Sequence, residues 1–144
     1  MSGNSLLMAL HSSTERFGVA VHDPMSSSEP SAVQVFDDGR GLSNTLITRV
    51  SAMLPRERWT QLSGLAVATG PGGFTGTRLS VVMARTLAEQ LRCPLLGISS
   101  FALMAPRLHN QLPVEQRGQP FWFARELPRR GLVAGCYCID AKDV

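Results

Sequence analysis

Seven residues, Gly70-Pro71-Gly72-Gly73-Phe74-Thr75-Gly76, set four glycines and a proline between an apolar run and a long amphipathic stretch. Such a segment cannot extend a strand, because proline donates no ladder hydrogen bond and glycine weakens strand and helix alike. It marks a sharp passage from a buried strand, Leu62–Ala68, into a helix expected over 77–92. A further short strand over 94–98 follows at once, so strand, crossover helix and parallel strand stand in series. That series points to an α/β domain.

The preceding residues add an antiparallel part. Short apolar runs over 6–10 and 17–21 flank the polar turn His11-Ser12-Ser13-Thr14, which reads as a hairpin. A polar loop is expected over 25–31 and a third strand over Ala32–Phe36. From Leu42 the period lengthens: Leu42, Leu46, Val50, Met53 and Leu54 recur at three- and four-residue steps, describing a helix that Pro55 ends. Ser99 or Ser100 can cap a third helix running to about residue 108. Beyond a polar stretch over 110–120, two strand-like runs at 121–124 and 132–139 flank a turn over 125–131. The expected order is β-β-β-α-β-α-β-α and two late strands, a mixed sheet flanked by helices.

Composition excludes several classes. With 144 residues, 44% hydrophobic and 17% charged, the chain can bury a core and is not disordered as a whole. No apolar run approaches the ~20 residues of a membrane-spanning helix. The net charge is +3, and thirteen of the fourteen basic residues are Arg, with Lys142 the exception. Arg129-Arg130 is the one adjacent basic pair and has no aromatic ladder beside it in sequence, so a dedicated nucleic-acid reader is not expected. Cys93, Cys136 and Cys138 supply neither a disulfide framework nor a second hook for zinc. They read as small buried hydrophobes, and the expected location is the cytoplasm.

Two places can hold an anion. The glycine loop directs backbone N–H groups at a helix start, and Ser12, Ser13 and Thr14 offer hydroxyls at a turn. Gly72, Gly73 and Thr75 complete the candidate nucleotide-binding set. Neither the Walker lysine nor the G-x-G-x-x-G spacing is present, and a tight strand–helix turn requiring Gly72 and Gly73 on steric grounds explains the same residues. No catalytic nucleophile–base pair and no metal site emerge: His11, His22 and His109 are far apart, and Glu15, Asp23, Asp37 and Asp38 lie by turns.

The long helix presents apolar residues on two sides. Leu79, Val82, Met83, Leu87 and Leu91 cover one, Val81, Ala84 and Ala88 lie nearly opposite Leu79, and Arg78, Arg85, Glu89 and Arg92 share a ~60° sector. Either the 42–54 helix covers the second side, or the two helices form an exposed pair that docks on another subunit through small residues. The docking reading names Leu42, Leu46, Val50, Val81, Ala84 and Ala88.

The runs LLMALHSSTERFGVAV and LAVATGPGGFTGTRLSVVMARTLAEQLRCPLLGISSFALMA resemble the TsaB (YeaZ) family, with the strongest likeness at 70–78 and 94–100. The resemblance implies the first lobe of an actin/Hsp70-like (ribonuclease H-like) fold, with a Gcp-like lobe over 1–109 and a faintly matching remnant over 110–144. Family members continue into a second lobe, so the chain is expected to carry the first lobe and little of the second. It also implies a non-catalytic subunit without cofactor, ATP binding only at an interface with partners. Those partners are a TsaD-type enzyme and a TsaE-type ATPase, which attach threonylcarbamoyl to adenosine beside the tRNA anticodon, and tRNA is reached only through the complex. The family's helix pair forms a bundle with a partner's, a homodimer included. Two positions depart from the family pattern: His11 stands for an acidic residue, and Leu42-Ser43 for a His-Ser pair. The competing readings are a stand-alone nucleotide-binding ATPase or kinase and a degenerate remnant; a peptidase would need paired metal-binding histidines.

Overall fold

The structure is a computed structural model that describes residues 3, 5–26 and 31–140. The middle of the polar loop expected over 25–31, and Lys142, lie outside the described residues. Strands β1 (Leu6–His11), β2 (Phe17–His22) and β3 (Ala32–Phe36) precede α1 (Leu42–Met53), β4 (Leu62–Ala68), α2 (Phe74–Leu91), β5 (Leu95–Ile98) and α3 (Ser100–Gln111). A hairpin, β6 (Phe121–Leu127) and β7 (Gly131–Tyr137), follows.

Five strands form one mixed sheet in the order β3-β2-β1-β4-β5. β1 pairs antiparallel with β2 and parallel with β4, so the early meander and the later crossovers share the central strand. Alternation fixes the two faces. Leu6, Met8 and Leu10 of β1 are buried against α1 and α2 together with Phe17, Val19, Leu65 and Val67. Each such side chain contributes roughly 1.5–3 kcal/mol through burial. The intervening residues, Leu7 and Ala9 with Val33, Val35 and Leu96 in register across the sheet, are exposed on the opposite face.

Helix α1 is fixed at both ends. Arg49 donates two hydrogen bonds to Asp38, at 2.8 and 2.9 Å, and lies 4.6 Å from the centre of the Phe36 ring. Those bonds hold the Asp38 carboxyl below its ordinary range. The Trp59 indole donates to the carbonyl of Leu54 at 2.8 Å, satisfying an acceptor that the helix end leaves free.

The expected small-residue docking face is not at the surface. Ala84 and Val50 are 0% exposed; Leu42, Leu46 and Ala88 are buried in the same core, and Val81 packs half-buried against it. The reason is spacing. Ser80, Ala84 and Ala88 are the side of α2 that lies on the sheet, where small side chains allow the helix to sit close. Val82, expected on an apolar side, is instead 61% exposed. Arg78, Arg85, Glu89 and Arg92 share the outer side with it.

Several boundaries differ from expectation by a residue or two, and three by more. Helix α2 begins at Phe74 rather than 77, α3 continues through Gln111 with Pro106 inside it, and the late turn shrinks to 128–130. The first strand of the hairpin runs on to Leu127, and the second starts at Gly131 and ends at Tyr137, two residues before its expected end; Phe121 and Phe123 stack with His109 and Phe101 of α3, and Tyr137 stacks on Phe123. Cys136, on the outer face of β7, and Cys138, just past its end, are exposed, correcting their expected burial; Cys93 is half-buried.

Candidate functional site

The parallel strands β1, β4 and β5 end together at one edge of the sheet, where open α/β sheets place their ligands. Three turns meet there: Ser12–Arg16 after β1, Thr69–Gly73 after β4, and Ser99–Ser100 after β5. The structure does bring the predicted anion-binding residues together. It also engages them with one another.

Ser12 is fully buried, donates to the carbonyl of Gly76 at 2.5 Å, and lies 2.5 Å from the hydroxyl of Ser80. Ser13 is equally buried, with its hydroxyl 2.6 Å from that of Ser100. The N–H of Gly70 donates to the same Ser100 hydroxyl at 3.2 Å, and the N–H of Ser100 returns to the carbonyl of Gly70 at 2.8 Å. The N–H of Gly73 donates to the carbonyl of Ser13 at 3.0 Å. Four serine hydroxyls thus tie the turns and the start of α2 into one unit. A phosphate entering here would have to break these bonds and desolvate their partners, at about 1–3 kcal/mol for each group left unpaired. Ser12 and Ser13 therefore have structural partners for their hydroxyls, with which an anion would have to compete. Thr14, Gly73 and Thr75 remain at the surface, with Thr14 bonded to the backbone of Arg16.

The glycines divide in the same way. A Cβ on Gly72 would collide with the carbonyl oxygen of Ser13, and one on Gly76 would stand 2.8 Å from that of Ser12. A Cβ on Gly73 would meet nothing within 4 Å. Close backbone approach requires glycine at 72 and 76, but not at 73.

His11 closes β1 beside this cluster. Burial, the main cause, pushes its pKa below the ordinary histidine value; the charge of Arg125 acts in the same direction, and a hydrogen bond with its own backbone opposes both. Among the described residues no three His, Cys, Asp or Glu side chains gather as a metal site, and no helix is long and apolar enough to cross a membrane. A cavity of about 620 Å³ lies elsewhere, on the open sheet face over Leu7, Ala9, Gly64, Ala66 and Leu96.

Two features escaped the sequence reading. Ser80 interrupts an otherwise apolar side of α2, and Ser100, a helix-cap candidate in sequence, leaves the cap to Ser99 and joins the hydroxyl lock instead. The second feature is at the start of α2. Phe74, 56% exposed, has the guanidinium of Arg78 at 4.8 Å from its ring centre and that of Arg130 at 5.1 Å. Arg130, of the basic pair that lacked an aromatic neighbour in sequence, acquires one in space.

A sequence model described as "TsaD: tRNA N6-adenosine threonylcarbamoyltransferase" matches residues 44–120, just over half of the chain. The tRNA threonylcarbamoyladenosine biosynthesis protein TsaB of Buchnera aphidicola is 32% identical over a segment covering 42% of this chain and 33% of that protein. The protein of the same description from Bacillus subtilis is 46% identical over 31% of this chain and 19% of its own length. The structure superposes on YeaZ from Pseudomonas aeruginosa with a TM-score of 0.73 and 24% identity, covering 95% of this chain and 62% of that one. The likeness in shape thus spans under two thirds of YeaZ, and the sequence matches span a third or less of the curated relatives.

Proposed function

This chain belongs to the tRNA N6-adenosine threonylcarbamoyltransferase family in its TsaB (YeaZ) form, and on that premise we propose that it is a non-catalytic scaffold subunit. In this reading it supports a TsaD-type enzyme, with a TsaE-type ATPase, in threonylcarbamoylation of tRNA adenosine. The observation that carries the proposal is the hydroxyl lock. The turns that would have to cradle a nucleotide commit Ser12, Ser13, Ser80 and Ser100 to each other. A turn so occupied serves as a rigid base for helices rather than as a phosphate site.

The docking surface in this reading is the outer side of α1 and α2. Ile47 is 49% exposed on α1 and Val82 61% exposed on α2, while the residues first expected there are buried. A helix–helix contact needs outward apolar side chains such as these, flanked by polar ones. A second copy of the chain can use the same surface, since a two-fold contact places one patch against itself.

The test is affinity for the TsaD-type enzyme. Ile47→Arg with Val82→Arg should weaken binding at least ~100-fold, about 2.7 kcal/mol at ~1.4 kcal/mol per decade. The melting temperature should hold, since both positions are exposed. Unchanged affinity would place the interface elsewhere, and robust ATP turnover by the purified chain alone would favour the enzyme reading.

A further inference from the structure

The exposed cluster of Phe74, Arg78 and Arg130 is not explained by folding or by helix docking. We infer that it is a direct contact for single-stranded RNA, one that binds the loop of the tRNA substrate; this rests on the scaffold reading above. Two guanidiniums lie within 5.1 Å of one ring centre, so the Phe74 ring braces two planar cations at the surface. Guanidinium planes stack on unpaired bases and pair with phosphates, and aromatic rings stack on bases of any sequence. An acidic protein would need only the charge; planar guanidiniums braced on an aromatic ring favour a partner with its own flat faces.

The cluster is also free to act. Among the described residues the ion pairs are Arg16–Asp37 and Arg49–Asp38, and neither involves it. Arg78 comes from α2 and Arg130 from the β6–β7 turn, so two distant segments converge on Phe74. Arg85 continues the exposed basic stripe two turns further along α2. Val82 lies between them, so an enzyme docked at the middle of α2 would present its RNA beside the cluster.

The test is binding of a labelled RNA hairpin with an unpaired loop to the full chain, followed by fluorescence anisotropy across a salt series. The double variant R78Q/R130Q should bind about tenfold more weakly at low salt. Its slope of log affinity against log salt should become shallower by about 1.4, at ~0.7 for each single-strand phosphate that is no longer neutralised. The control R56Q/R58Q removes the same charge from another part of the surface and should bind as the parent does. Phe74→Ala should lose affinity with the slope nearly kept, since it removes stacking and no charge. Equal losses in both double variants would reduce the effect to net charge and overturn the inference, as would failure of the parent chain to bind the hairpin. An equal response with a poly-glutamate peptide would also overturn it, in favour of an acidic protein partner. Affinity of the single variant R130Q for the TsaD-type enzyme, measured in parallel, keeps the two readings apart: Arg130 lies in the β6–β7 turn, off the outer side of α1 and α2, so that affinity should be unchanged, and RNA binding can fail while it stands.

Discussion

The carbonyl oxygen of Ser13 leaves no room for a methyl group at position 72, whereas position 73 faces open space. Both glycines read alike in the sequence, because a loop's sequence does not reveal which of its backbones is approached by another turn. Gly72→Ala should cost about 3 kcal/mol or more, a large share of the ~5–15 kcal/mol that holds a domain together. Gly73→Ala should be neutral or stabilise by up to ~1 kcal/mol, since its φ of −57° suits alanine. Urea unfolding of the pair checks this, and equal midpoints would contradict it. His11 makes a second prediction at this scale. Its folded pKa is depressed, so below the ordinary value near 6.5 the unfolded chain binds the proton first. Stability should therefore be full above that value and fall as pH drops below it, toward the folded pKa. His11→Gln should flatten that part of the pH–stability curve; an unchanged slope would show that another group is responsible.

Helix α2 illustrates how far periodicity carries and where it stops. The wheel correctly separated the charged sector of Arg78, Arg85, Glu89 and Arg92 from the rest. It could not say which of two apolar sides faces the sheet, because small and large residues satisfy the same pattern. Packing decided: Ala84 and Ala88 went in and Val82 went out. Ala84→Leu should consequently lower stability by about 1–3 kcal/mol through overpacking, while Val82→Arg should leave the melting temperature unchanged. The reverse pattern would restore the exposed small-residue face. The early strands and α1 were legible because their neighbours are close in sequence. The hydroxyl lock was not, since Ser12 and Ser80 are 68 residues apart and Ser13 and Ser100 are 87 apart. Ser12→Ala and Ser80→Ala should each destabilise by about 1–3 kcal/mol, and the double variant by clearly less than the sum, as expected for partners in one bond.

At the scale of the molecule, one sheet carries α1 and α2 on one face and leaves apolar side chains on the other. The sheet's parallel strand ends are sealed by serine hydroxyls, and the outer side of α2 carries Val82 amid basic residues. Those features fit a subunit that works by holding other components, as the scaffold account proposes. The fold class was legible from the order of strands, glycine loop and helices. Which apolar residues of α1 and α2 stay at the surface was not, since that depends on which ones the core consumes. The most direct test of the scaffold account is reconstitution of threonylcarbamoyl transfer to unmodified tRNA with the TsaD-type and TsaE-type proteins, followed by quantification of the modified adenosine. The chain alone should yield none, its addition to the other two should raise the yield, and Ile47→Arg with Val82→Arg should remove most of that gain. A yield unaffected by the chain, or transfer by the chain alone, would contradict the account.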